Sequence, residues 1–115
     1  MLDAQNHSVT IFDLDENSFR WLPAEFKGKA IIADGIDDDG LIRANIDDAD
    51  VFVATTQGDN RNILAAQKAK FQFNVPKVVC RLYDPIRKEL YRDLGIETIS
   101  PTTVTAELLQ DAIER

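Results

Sequence analysis

Residues 9–15 read Val-Thr-Ile-Phe-Asp-Leu-Asp, a run of β-branched and aromatic residues that closes on two acids. Such side chains pack well on a pleated sheet, so short runs of them are typical of strands. The run predicts a buried β-strand over Val9 to Phe12, closed by Asp13. The carboxylate of Asp13 is therefore expected at the carboxyl end of a sheet.

Four further segments of the same kind complete a set of five predicted strands. They are Lys29 to Ala33, Val51 to Thr55, Val78 to Arg81 and Glu97 to Ile99. Strands that alternate with helical stretches favour a parallel sheet joined by helices. All five are short and apolar, which predicts strands covered on both faces. The expected fold is α/β, a Rossmann-like doubly wound parallel sheet with five strands.

Five stretches have helical periodicity and boundary signals of their own. Asp15 or Asn17 can cap the first, which Pro23 should end near Leu22. The second begins with caps at residues 37–39 and runs to about Ala44, and the third runs from a cap at Asp59 or Asn60 to about Phe71. The fourth runs from Pro85 to Gly95, and the fifth covers Thr103 to Ile113. Apolar residues fall on one face of the last two, at Ile86, Leu90 and Leu94 and at Val104, Leu108, Leu109, Ala112 and Ile113.

Length, charge and cysteine content narrow the class of protein. The 115 residues suit a single domain over residues 1–115. No apolar run approaches the ~18 residues of a membrane span, and no signal segment opens the chain, so membrane insertion is not expected. The net charge of −7 argues against nucleic acid as a partner. Because Cys80 is the single cysteine, no internal disulfide can form, and a cytoplasmic location is expected.

Polar residues recur at the carboxyl ends of the predicted strands, where an open parallel sheet forms its ligand crevice. Asp13 can accept hydrogen bonds from ribose hydroxyls, and Gly35 after Asp34 lets a flat base approach the backbone. Thr56 can donate to a phosphate or ribose oxygen, and Arg81 can pair with phosphate. Plainer roles are open as well: a helix cap for Asp13, a turn for Gly35, a helix cap for Thr56 and a surface ion pair with Asp84 for Arg81.

The acidic stretch at residues 34–40 reads Asp-Gly-Ile-Asp-Asp-Asp-Gly and superficially suggests a calcium loop. With Gly40 at the required glycine, Gly35 and Ile46 fall at the first and last ligand positions, and neither offers a carboxylate. The stretch therefore predicts a helix start and no metal site. His7 has no evident nucleophile or metal partner, and Cys80 lies in an apolar strand where a buried hydrophobe is expected. Catalysis is not expected.

Five segments in order resemble a known family, the nucleotide-binding half of the regulators of potassium conductance. This RCK N-terminal domain is also called the KTN or Trk-type NAD-binding (TrkA-N) domain. The matching segments are residues 9–15, 33–35, 49–56, 75–81 and the pair 94–96 with 99–101. The sequence departs from the family at Leu14, where a basic residue is frequent, and at residues 33–35, which read Ala-Asp-Gly where the family often has Gly-Asp-Ala.

The resemblance implies a role for each strand end. Asp13 would hold the ribose of NAD(H) or an adenine nucleotide, Asp34 and Gly35 would flank the adenine, Thr56 would lie on the nucleotide rim, and Arg81 would face the phosphates. Asp59 and Asn62 match polar positions that follow the third strand.

The opening strand and glycine-rich phosphate loop of the family have no counterpart in this sequence. Fingerprint glycines lie about 20 residues before the ribose acid, but twelve residues precede Asp13 and the first glycine is Gly28. The unmatched strand is central in the order 3-2-1-4-5-6, so a two-strand and a three-strand piece are expected. The chain could be an N-terminally incomplete fragment, the pieces could close up directly, or another polypeptide could supply a strand. Nucleotide binding should then be weakened or lost.

Three functions compete on this basis. The first is a regulatory domain that pairs with a copy of itself, senses NAD(H) or an adenine nucleotide and controls potassium transport through a membrane channel or transporter at the inner face of the membrane. The second is the nucleotide-binding part of a small NAD-dependent oxidoreductase, which would also need a substrate domain. The third is a phosphorylated receiver domain, against which residues 99–102 read Ile-Ser-Pro-Thr where a lysine would be needed. The first is the preferred interpretation.

Overall fold

The computed structural model of the chain describes residues 2–84 and 88–115. They fall into two compact units, Met1–Asn45 and Ile46–Arg115. Each unit has its own parallel sheet, one of two strands and one of three. The division of the strands into a two-strand and a three-strand piece is confirmed. The single domain over residues 1–115 stays a prediction.

The first unit is built on strands β1 (Thr10–Asp13) and β2 (Lys29–Ile32). They pair in parallel, from Thr10 opposite Lys29 to Asp13 opposite Ile32. A 3₁₀ helix at Glu16–Trp21 connects them and ends at Leu22, before Pro23 as expected. Helix α1 (Asp38–Arg43) follows β2, so the acidic stretch is a helix start.

The loop before β2 comes very close to the start of β1. The Lys29 amide donates to the Val9 carbonyl at 3.0 Å, which brings the peptide of Gly28 against the same oxygen. A Cβ atom at Gly28 would lie 2.2 Å from that oxygen and 2.5 Å from Cζ of Phe26. Only glycine fits at this entry to the strand pair.

The second unit contains β3 (Val51–Ala54), β4 (Lys77–Arg81) and β5 (Ile96–Ile99), in that spatial order and all parallel. Its helices are α2 (Asp59–Gln67), α3 (Lys88–Asp93) and α4 (Pro101–Glu114), and α2 continues as a π-helical turn at Lys68–Gln72. The predicted helix start at Pro85 and the apolar position Ile86 lie outside the described residues. Gly95, with φ of +85°, ends the α3 segment as predicted.

The core of the second unit lies on one face of its sheet. Its fully buried side chains include Val75, Val78, Cys80, Leu82 and Ile96. Helix α2 packs on β3 and β4 and buries Ile63, Ala65 and Ala66.

Coverage of both faces of every strand, expected from the apolar runs, is wrong for β2, β3 and β5. In β2, Ile32 is 50% exposed. Burial alternates along β3: Phe52 and Ala54 are buried, whereas Val51 and Val53 are 50% and 53% exposed. In β5 the alternating pattern leaves Ile99 47% exposed. A short apolar run cannot distinguish one covered face from two, because β-branched residues favour strands on either face.

The apolar faces of α3 and α4 are also uncovered. Leu90 and Leu94 are exposed, and no residue of α4 is buried. The hydrophobic periodicity of the sequence therefore predicted the positions of both helices, but it did not predict which surface they pack against. Within the described part of the chain, no helix combines the length and hydropathy needed to cross a bilayer.

Candidate functional site

Asp13 is the last residue of β1, and its carboxylate organises the turn that follows. Oδ1 accepts a hydrogen bond from the Asp15 amide at 2.8 Å, and Asp15 Oδ1 in turn accepts from the Asn17 amide at 3.0 Å. Asp15 is thus the cap of the 3₁₀ helix. Among the described residues, Oδ2 of Asp13 has no recorded partner and remains available to a ligand donor.

Asp34 and Gly35 lie at the same edge of the two-strand sheet as Asp13. The Ala33 amide donates to the Asp13 carbonyl at 3.2 Å, so Asp34 leaves the strand pair one residue later. Asp34 Oδ1 accepts from the Ile36 amide at 3.1 Å and shapes the turn into α1. A Cβ at Gly35 would lie 3.2 Å from Cε2 of Phe12, so a side chain there would require the Phe12 ring to move by a few tenths of an ångström.

In the second unit, Thr56 lies two residues beyond β3 and forms three hydrogen bonds with the side chain of Asn62 in α2. The Thr56 amide donates to Asn62 Oδ1 at 2.8 Å, and the Thr56 hydroxyl donates to the same oxygen at 2.6 Å. Asn62 Nδ2 donates to the Thr56 carbonyl at 2.9 Å. In this arrangement the Thr56 hydroxyl donates to Asn62, and the expected contact of Thr56 with a phosphate or ribose oxygen stays a prediction.

Arg81 is the last residue of β4, and its side chain contacts the loop that contains Thr56. Its Nη2 donates to the Thr56 carbonyl, and its guanidinium lies 5.2 Å from the centre of the Tyr83 ring. Its Nε is buried and has no hydrogen-bond partner among the described residues. The cationic group is thus held beside Thr56 with donors left over for an anion.

Thr56 and Arg81 form a corner at the ends of β3 and β4, and Asp59 and Asn62, at the start of α2, hold this corner together. Residues three apart on a helix lie on one face, so both side chains reach the strand ends. The Asp59 carboxylate accepts from the Tyr83 amide at 2.8 Å and the Asp84 amide at 3.1 Å.

Neither Asp59 nor Asn60 caps α2 as expected, because Gly58 occupies the N-cap position. Asp59 stands one residue too late in the chain for that role, and its carboxylate meets distant amides instead. Apart from the capping role expected of Asp59, the family resemblance marked Asp59 and Asn62 only as polar positions after a strand. Their spacing of three residues was the available signal for a shared role.

Cys80 lies under this corner in β4 and is fully buried. Desolvation, together with the negative charge of Asp59, raises the pKa of the thiol to about 11. The expectation of a buried hydrophobe is confirmed. Across residues 2–84 and 88–115, no three His, Cys, Asp or Glu side chains cluster closely enough to hold a metal ion.

The sequence-predicted site residues therefore form two groups. Asp13, Asp34 and Gly35 lie at the carboxyl end of β1 and β2. Thr56 and Arg81 lie together at the carboxyl end of β3 and β4. Their shared role in binding a ligand stays a prediction.

Comparison with known proteins places this geometry in a family. Residues 1–101 match the TrkA-N domain. The Trk system potassium uptake protein TrkA of Streptomyces coelicolor is 42% identical over 106 residues, which are 92% of this chain and 48% of that protein. The chain thus spans about half the length of that curated relative.

Two solved structures share the fold at low identity. The TrkA-N domain of the inner membrane protein ybaL from Escherichia coli has a TM-score of 0.82 at 11% identity, covering 96% of this chain and 82% of that one. The Kef CTD of Shewanella denitrificans in its AMP-bound form has a TM-score of 0.70 at 23% identity, covering 94% and 65%. On the match over residues 1–101 and the identity to the Streptomyces protein, this chain belongs to the TrkA-N domain family.

Proposed function

We propose that this chain is a nucleotide-sensing regulatory domain that controls potassium transport through a membrane channel or transporter. The observation that carries the proposal is the 42% identity, over 92% of the chain, to a Trk system potassium uptake protein. Since the chain spans about half of that protein, the membrane partner and the direction of control belong to the proposal. So does its location at the cytoplasmic face of the membrane.

The ligand we propose is NAD(H) or an adenine nucleotide. Asp13 Oδ2 would accept from the ribose, with Asp34 and Gly35 beside the adenine and Arg81 facing phosphate. Two observations support this assignment: polar groups end neighbouring parallel strands in both units, and a structural relative is described with AMP bound.

Regulation, rather than turnover, is the role that the Trk relatives favour. A regulatory ligand acts by binding two conformations of the domain with different affinity. A second copy of the chain is the partner we propose for α4. Val104, Leu108, Leu109 and Ile113 are 43% to 84% exposed along it, which supports burial against another apolar surface.

Calorimetric titration of NADH, NAD, ATP, ADP and AMP into the chain tests the ligand. Asp13→Asn keeps the acceptor for the Asp15 amide but replaces Oδ2 by a donor, so we expect affinity to fall about tenfold. Asp39→Asn, the same change at an exposed acid in α1, is the control and should leave affinity unchanged. Absence of binding for every nucleotide would refute the proposed ligand class.

A further inference from the structure

The side chain of Asn62 is 0% exposed and uses its full hydrogen-bonding capacity. Oδ1 accepts from the Thr56 amide and hydroxyl at 2.8 and 2.6 Å. Nδ2 donates to the carbonyls of Thr56 and Arg81 at 2.9 and 3.0 Å. An asparagine amide offers two acceptor positions and two donors, so this one is fully satisfied.

The backbone groups around Asn62 determine the positions of its side-chain oxygen, Oδ1, and its side-chain nitrogen, Nδ2. An N–H group of Thr56 requires an oxygen opposite it, and two carbonyl oxygens require the amide nitrogen. A flipped amide would face donor with donor and acceptor with acceptor in these three contacts. The orientation of Asn62 is therefore set by groups that cannot change their own polarity.

This orientation decides the polarity of the Thr56 hydroxyl. The Thr56 hydroxyl oxygen lies 2.6 Å from the Asn62 amide oxygen, which carries no hydrogen, and 3.5 Å from the Gly58 carbonyl oxygen, so the hydroxyl proton lies on the much shorter contact, toward Asn62. The Gly58 amide contributes a long bond of 3.3 Å to the same hydroxyl oxygen. A hydroxyl oxygen has two lone pairs, so Thr56 retains one acceptor position and no donor.

We propose that Asn62 is a positioning residue that presents the exposed Thr56 hydroxyl to the ligand as a hydrogen-bond acceptor. The group that Thr56 recognises is then a donor, a ribose hydroxyl, and not a phosphate oxygen. Arg81 remains the phosphate group's partner, since its guanidinium keeps free donors while its Nη2 is anchored on the Thr56 carbonyl. The inference rests on the proposed function and adds that Thr56 and Arg81 recognise different parts of one nucleotide.

Calorimetry with AMP and 2′,3′-dideoxy-AMP separates these roles. Thr56→Val removes the acceptor from an exposed side chain, so we expect AMP to bind about 5-fold more weakly while dideoxy-AMP is unaffected. Asn62→Ala leaves the Thr56 hydroxyl able to donate as well as accept, so its lone pair is no longer held in one direction, and the preference for AMP over dideoxy-AMP should fall, though by less than in Thr56→Val. General loss of stability would weaken both ligands equally. Equal weakening by Thr56→Val overturns the inference, as does an unchanged preference in Asn62→Ala.

A second measurement does not depend on a ligand or on the folding of the Asn62 variant. In NMR spectra of the unaltered chain, the Thr56 hydroxyl proton should exchange slowly enough to be observed and show a contact to the Asn62 amide. A rapidly exchanging hydroxyl overturns the inference. If that proton is observed but neither nucleotide binds, the proposed function fails while the polarity of Thr56 stands.

Discussion

Asp59 connects α2 to the loop after β4, and removing its carboxylate should destabilise the second unit. The two bonds to the Tyr83 and Asp84 amides join a charged acceptor to backbone donors. Each such bond contributes about 1.5–3 kcal/mol when buried. Asp59 is only partly buried, so water can replace part of both. We therefore expect Asp59→Ala to lower the free energy of unfolding by about 2 kcal/mol.

Urea unfolding followed by circular dichroism measures this change. Amide hydrogen exchange locates it, because Tyr83 and Asp84 should lose protection by roughly 30-fold if 2 kcal/mol is lost locally. Asp47→Ala, at an exposed acid of the same unit, is the matched control and should stay within about 0.5 kcal/mol of the unaltered chain. If Asp59→Ala is as stable as that control and both amides keep their protection, the reasoning is refuted.

Three further outcomes are expected. Thr98 is 6% exposed and its hydroxyl has no partner among the described residues, so Thr98→Val should raise the free energy of unfolding by about 1 kcal/mol; a loss in a urea titration would contradict this. With a pKa of about 11 against an ordinary 9.0, the Cys80 thiol should resist a thiol reagent at pH 8 until urea unfolds the chain, and stability should fall as pH rises above 9, where only the unfolded thiol ionises; rapid labelling of folded protein would contradict it. Leu108→Glu on α4 should reduce self-association in sedimentation velocity, whereas Gln110→Glu on the same helix should not; equal behaviour of the two would refute pairing through α4.

Local chemistry explains what the sequence could predict. Each of the five strands was placed within a residue or so at each end, because β-branched runs bounded by polar residues carry their own signal. Asp15 was one of the two candidate caps, with Asn17, because capping depends on neighbours two or three positions away. Asp13 and Asp34 at one edge followed from the rule that parallel strands share their carboxyl ends.

Distant pairing explains what the sequence could not predict. Asp59 was expected to cap its own helix, but its partners are amides 24 and 25 residues further along the chain. Thr56 was expected to donate to a ligand, and only the placement of Asn62 shows where its proton lies. The exposed faces of β3 and α4 likewise depend on which elements pack together, which hydrophobic periodicity does not encode.

The bonds from α2 to the end of β4 have a kinetic consequence. They span 19 to 25 residues of chain, so we expect them to close after β4 has been laid beside β3. Interactions that form late in folding change the unfolding rate and leave the folding rate almost untouched. The corner that holds Thr56 and Arg81 should accordingly open early, by local fluctuations, while the strands beneath it remain paired.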